Sequence, residues 1–133
     1  MYLLDTNHCI FLINRNYPEV GRRLARQGIG SVAVSSVTTS ELWYGVEKSV
    51  RKEQNRTALG RFFLPLEILP YDENAARAYG KIRPVLERGG RTIGSMDMLI
   101  AAHALSLQAT LVTHNRREFQ RVPGLKMEDW TGE

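Results

Sequence analysis

Short apolar runs recur along this chain, each separated from the next by segments of helical character, and that alternation limits the folds open to it. Tyr2 to Leu4 reads as a buried strand, and Ser31 to Ser35, carrying Val32-Ala33-Val34, as a second. Leu66 to Leu69 is a third, with prolines at its edges, and Thr110 to Thr113 a fourth. The intervening helices are expected at Cys9 to Ile13, Glu19 to Gln27, Thr38 to Lys48, Arg51 to Leu64, Asp72 to Arg88 and Met96 to Leu107. Asn14 to Pro18, Gly28-Ile29-Gly30, Pro65 and Gly89-Gly90 supply the breaks. Asp72 is a plausible N-cap, and Pro84 predicts a kink or junction in its helix. Arg116 to Phe119 reads as a helical turn and Lys126 to Glu128 as an edge strand. Short strands alternating with helices build an α/β domain with a parallel sheet covered on both faces.

In such sheets ligands bind beyond the carboxyl ends of the strands. Asp5 stands at one such end, and Thr113 with Asn115 at another. Glu41 and Asp97 open apolar helical stretches that could point at the same crevice, and Glu118 follows Leu111-Val112-Thr113-His114-Asn115. Gathered together, these acids would repel one another, and a hard divalent cation with oxygen ligands would relieve the repulsion. Each acid also has an ordinary structural explanation. Thr38-Thr39-Ser40-Glu41 fits a capping box, Asn115 to Glu118 fits a similar one, Asp97 could favour a helix dipole, and Asp5 could cap the helix that follows it. Asp97 makes the stronger case for a site, because a carboxylate opening so apolar a helix is desolvated unless paired or metal-bound. Thr6, Asn7, Thr113 and Asn115 supply hydroxyl and amide groups that can orient carboxylates or water, although strand-end turns use the same residues.

Composition narrows the classes further. The chain has 133 residues, 43% hydrophobic and 24% charged, which suits one globular domain over residues 1–133. No apolar run approaches the ~20 residues of a membrane helix. Asp5 interrupts the start before any leader-like stretch, and the lone Cys9 suits a reducing compartment, so a cytoplasmic protein is expected. Lys and Arg number 18 against 14 acids. Arginines cluster at 22, 23 and 26, at 51 and 56 with Lys52, and at 116, 117 and 121, either as solvated faces or as a basic rim for a polyanion. His8, His103 and His114 lack metal-ligand spacing. His103 reads as a core residue, while His8 and His114 could touch a substrate. Neither a phosphate-binding glycine loop nor a serine nucleophile elbow is present in the sequence.

At these residues the chain closely resembles the PIN-domain ribonucleases, specifically the VapC toxins of bacterial toxin–antitoxin pairs. The matching segments are Leu4-Asp5-Thr6-Asn7, Ser40-Glu41-Leu42 with Tyr44-Gly45, and Asp97 to Ala104. They continue through Leu111 to Asn115 with Glu118-Phe119, and from Gly124-Leu125 to Glu128-Asp129-Trp130. The resemblance implies a PIN-like three-layer α/β/α sandwich with a short, mainly parallel central sheet. It implies an endoribonuclease dependent on Mg²⁺, with Mn²⁺ as a substitute, that often cuts transfer RNA by attack of metal-activated water and leaves a 5′-phosphate. It also implies a VapB-type antitoxin and a homodimer. Asp5, Glu41 and Asp97 would be the core acids. Glu118 replaces the aspartate common at its position, so water positioning suits it better than direct ligation.

The expectation is therefore a metal-dependent RNase in which Asp5 and Asp97 are the main ligands. Glu41 would complete the shell or act on the attacking water, and Glu118 would be peripheral. Arg116 and Arg117 would contact RNA. The rival reading is a non-catalytic PIN-like module that holds RNA or protein. A receiver-like phosphoryl acceptor would need paired acids after the first strand and a lysine near the last, which the sequence lacks. Trp43, Tyr44 and Phe62-Phe63-Leu64 are candidates for an apolar interface.

Overall fold

The computed structural model describes residues 1–28 and 30–132; Ile29 of the expected Gly28-Ile29-Gly30 stop lies outside the described residues, as does Glu133. The chain runs β1(Tyr2–Leu4), α1(Thr6–Asn14), α2(Pro18–Ala25), β2(Val32–Ser35), α3(Ser36–Glu47), α4(Lys52–Phe63) and β3(Glu67–Leu69). It continues with α5(Glu73–Arg88), α6(Ser95–Leu107), β4(Thr110–Val112), α7(Arg116–Phe119) and β5(Lys126–Glu128). The strands form one sheet in the order β3-β2-β1-β4-β5, with every pairing parallel. The chain first winds outward from β1 through β2 to β3, then crosses back to β4 and β5. The direction of winding therefore reverses between β1 and β4.

The three central strands, β1, β2 and β4, are buried on both faces, while β3 and β5 are more exposed at the edges. In β1, Leu3 joins the core formed with Ile100, Ala101, Phe119 and Ile82, while Leu4 joins Cys9, Val20, Leu42, Leu59 and Trp130 on the opposite side. The same split separates Ala33 from Val32 and Val34, and Leu111 from Val112. Alternation of side chains along a strand thus feeds two cores at once. The outcome is a three-layer sandwich, with α5 and α6 packed on one face and α1, α2 and α4 on the other.

Several helix starts lie earlier than the apolar pattern suggests, and capping is the reason. Asp5 accepts the His8 backbone N–H at 2.8 Å, so α1 begins at Thr6 rather than Cys9. Ser35 Oγ accepts the Val37 N–H at 3.0 Å, which starts α3 at Ser36. Asp72 caps α5 as expected, through the Ala75 N–H at 3.0 Å. The expected junction at Pro84 does not occur, because α5 is a single helix through that position.

The α2 arginines serve the fold. Arg22 and Arg26 both bind Glu19, at 3.0 and 2.8 Å. Arg23 binds Glu128 at 2.9 Å and lies 5.4 Å from the Trp130 ring centroid. Arg56 likewise pairs with Glu47 and Glu53. Among the described residues no helix is long and apolar enough to cross a membrane.

Pro84 is exposed, and an interior proline removes one helix hydrogen bond. Pro84→Ala should therefore raise the melting temperature by about 3–8 °C, read by circular dichroism, after the smaller opposing change in chain entropy. An unchanged or lower melting point would mean that α5 has already absorbed the defect.

Candidate metal centre

The crevice between β1 and β4 collects side chains from four separate elements. Asp5 directly follows β1, and its backbone N–H donates to Val112 O at 3.0 Å, which places it beside the end of β4. Thr113 prolongs β4, donating its N–H to Glu128 O at 2.8 Å. Glu41 lies in the second turn of α3, Asp97 in the first turn of α6, and Glu118 in α7.

The four carboxylates are differently engaged. Asp5 is 4% exposed, and its Oδ1 accepts two donors from His8: the backbone N–H at 2.8 Å and ring Nδ1 at 3.3 Å. Glu41 Oε1 accepts the Thr6 hydroxyl at 2.6 Å, and that hydroxyl is also 3.4 Å from Thr38 Oγ1. This overturns the capping-box account of Glu41, because Ser35 is the actual cap and Thr38 lies inside the helix. Glu118 has both oxygens occupied, by the Gly94 N–H at 3.3 Å and the Asn115 amide at 2.6 Å. The Asn115 side chain therefore holds Glu118 and does not cap α7. Asp97 has no hydrogen bond to its carboxylate among the described residues. Asp5 caps α1 and faces the crevice, so its structural and site readings are compatible.

Electrostatics binds the four into one cluster. Burial raises the Asp97 pKa first, then the negative charges of Glu118, Asp5 and Glu41 in that order, to about 6. Among the described residues no Lys or Arg forms an ion pair with any of the four; the Asp5 contact is with His8. Among the described residues no donor reaches Asp5 Oδ2, Glu41 Oε2 or either Asp97 oxygen. A set of hard oxygen atoms short of positive charge fits a hard divalent cation. The cluster is open: among the described residues no three His, Cys, Asp or Glu side chains lie close enough together to hold a metal ion by themselves, so water would have to complete the shell. Mg²⁺ retains several waters and is content with such an arrangement.

The other expected residues divide. Thr6 orients Glu41, Thr113 Oγ1 accepts the Asn115 N–H at 2.9 Å and so shapes the turn, and Asn115 holds Glu118. Asn7 is exposed and makes no side-chain hydrogen bond among the described residues. Arg116 and Arg117 are exposed on α7, next to Glu118. His103 is the buried core residue expected, 2.8 Å from Ser35 Oγ, and burial holds its pKa below the usual histidine value. His8 departs from expectation, being fully buried and out of a substrate's reach. His114 is half exposed and pairs with Asp129 at 2.8 Å. The sequence reading missed the parts played by Thr38, His8 and Asp129. Their only signal was proximity to the matching segments, since nothing local reveals which side chain meets which across the fold.

Oxygen donors at a switch point, with no Lys or Arg ion pair among the described residues, are chemically suited to a hard divalent cation. The PIN domain family model matches residues 2–125. A ribonuclease VapC2 of Rickettsia felis is 43% identical over 133 residues, covering 98% of this chain and 98% of the relative. A tRNA(fMet)-specific endonuclease VapC of Salmonella typhimurium is 44% identical over 129 residues, covering 97% of both. The crystal structure of VapBC2 from Rickettsia felis bound to a DNA fragment from their promoter superposes with a TM-score of 0.90 at 42% identity, over 97% of this chain and 98% of that one. The chain belongs to the PIN-domain family, in its VapC ribonuclease branch. Ribonucleases of this family are generally dependent on a divalent metal ion.

The elevated Asp97 pKa has a definite sign. Between the ordinary carboxylate value of 3.8 and about 6 the folded state holds the extra proton, so metal-free stability falls as pH rises through that window. Asp97→Asn removes the repulsion. In chelator at pH 7.5 it should melt about 2–6 °C above the parent chain and lose this component of the pH dependence. A variant melting at or below the parent would show that the acids do not repel as described.

Proposed function

We propose that this chain is a Mg²⁺-dependent endoribonuclease toxin, with Mn²⁺ as a working substitute, that cuts transfer RNA. The observation that supports the site assignment is the action of the Glu118, Asp5 and Glu41 charges on a half-buried Asp97, with Asp5 Oδ2 and Glu41 Oε2 accepting no hydrogen bond among the described residues. Asp5 Oδ2 and the Asp97 carboxylate would hold the cation. When bound, the ion supplies charge neutralisation at the scissile phosphate and lowers the pKa of a coordinated water. Glu41, fixed through Oε1 by Thr6, offers Oε2 to complete the shell or to take a proton from the attacking water. Glu118, held at both oxygens, suits orientation of that water. Arg116 and Arg117 stand where they can meet phosphate oxygens. The name of the Salmonella relative supports transfer RNA as the substrate class.

The partner is a VapB-type antitoxin, as the VapBC assembly of the Rickettsia protein suggests. A groove of about 290 Å³ opens beside Glu41 between α1, α3 and α4, lined by Ile10, Ile13, Leu42, Val46 and Leu59. An apolar antitoxin segment seated there would cover the site. Phe63 is buried against Trp43, leaving Tyr44 and Leu64, at 66% and 83% exposure, for a homodimer contact. We read residues 1–133 as a single PIN-like domain working in the cytoplasm, where its RNA substrate lies.

Asp5→Asn and Asp97→Asn should each reduce metal-dependent RNA cleavage by about 10²–10³-fold, and Glu118→Gln by about tenfold. Chelation should stop cleavage and added Mg²⁺ restore it. RNA binding without any Mg²⁺-dependent cutting by the parent chain would instead favour a non-catalytic module.

A paired Ile10→Glu, Ile13→Glu variant should weaken antitoxin binding about 100-fold by calorimetry while leaving free-toxin cleavage unchanged. Undiminished binding would place the antitoxin elsewhere.

A further inference from the structure

His8 is the buried titratable side chain that this chemistry leaves without a part. It is 0% exposed and stands between two carboxylates, with Nδ1 at 3.3 Å from Asp5 Oδ1 and Nε2 at 3.7 Å from Asp129 Oδ1. The Trp130 backbone N–H donates to Nε2 at 3.4 Å. A ring nitrogen that accepts a hydrogen bond carries no proton, so the proton of the neutral ring lies on Nδ1, facing the Asp5 carboxylate.

The far side of His8 is firmly anchored. Trp130 is 0% exposed, meets Tyr2 edge-on at 5.2 Å, and donates its indole N–H to Glu128 at 3.1 Å. Asp129 Oδ1 accepts the Thr131 N–H at 3.0 Å, and its Oδ2 pairs with His114. The ring is therefore held by groups the core has already fixed.

The consequence falls on Asp5. Both donors from His8 end on Oδ1. Every buried side-chain nitrogen or oxygen among the described residues has a hydrogen-bond partner, and Oδ2 has none, so Oδ2 must be the oxygen that reaches the opening. We propose that His8, locked as the Nδ1–H tautomer by the Trp130 backbone, is a positioning residue that turns Asp5 to present Oδ2 alone to the cation. The C-terminal Asp129–Trp130 segment thereby becomes part of the metal site. This inference rests on the reading of Asp5 as a metal ligand.

Titration calorimetry of the full chain with Mn²⁺, without RNA, separates the two ideas. His8→Leu should weaken Mn²⁺ binding about 10–100-fold while circular dichroism stays native, since outer hydrogen bonds to ligands carry that much affinity. His8→Asn, whose amide can donate from near the Nδ1 position, should stay within about threefold of the parent. His8→Gln, whose amide reaches toward Trp130 instead, should lose about tenfold. Asp5→Asn should abolish binding at that site. Nitrogen-15 NMR of the parent chain should report His8 protonated at Nδ1. The proposal is overturned if His8→Leu binds Mn²⁺ like the parent while Asp5→Asn does not, or if the ring proves to be the Nε2–H form. Should His8→Leu fail to fold, equal affinities for the Asn and Gln variants would overturn it. Parent-like binding by Asp5→Asn would instead remove the ligand assignment itself, and this proposal with it.

Discussion

The parallel pairing of β1 with β4 is the contact on which the rest depends. Its register sets Tyr2 against Thr110, Leu3 against Leu111 and Leu4 against Val112. Leu3 with Leu111 supplies one core, and Leu4 with Val112 supplies the other. A slip of one residue would exchange the faces of an entire strand, so two apolar cores enforce this register together. The same pairing sets the end of the first strand beside the end of the fourth. It is why Asp5 and the turn carrying Asn115 and Glu118 share one crevice, although they come from opposite ends of the chain.

That crevice stores unfavourable charge. Three of the four acids are tethered by a short contact: Asp5 to the start of α1, Glu41 through Thr6, and Glu118 through Asn115 and Gly94. The tethers keep the carboxylates from swinging apart into water. Asp97 has no such tether, and its pKa is raised there by burial first and by the neighbouring negative charges second. The neighbouring Cys9 thiol is raised as well, by burial first and by the Asp5 charge second, so it packs as an inert hydrophobe. Much of the basic surface is spent on structural ion pairs in α2 and α4. Arg116 and Arg117 stay exposed beside the crevice.

Local patterns made the architecture legible. Apolar runs of strand length, Gly and Pro breaks, and the Asp72 cap located nearly every element, because those signals act within a few residues. Pro84 does not form the junction that it allowed, since an interior proline weakens a helix without always dividing it. At the site, Asp97 was readable because an acid heading an apolar helix has few neutral explanations. For Glu41 the competing capping box depended on where α3 begins, and Ser35 holds that place. His8 could have touched a substrate had it lain at the crevice. Its buried ring lies between Asp5 and the Asp129–Trp130 segment from the far end of the chain.

The sequence by itself determined the alternation of strands and helices, the two-sided burial of the strands, and the presence of acids at element ends. These follow from periodicity and residue chemistry, which are local. Only the tertiary structure decided which oxygen atoms stay free, which acid bears the repulsion, and which donors hold Glu41, Glu118 and Asp5. Those outcomes depend on side-chain distances between residues remote in the chain. Hydrogen bonding and Coulomb energy change steeply over a few tenths of an ångström to a few ångströms, and no spacing along a sequence encodes them.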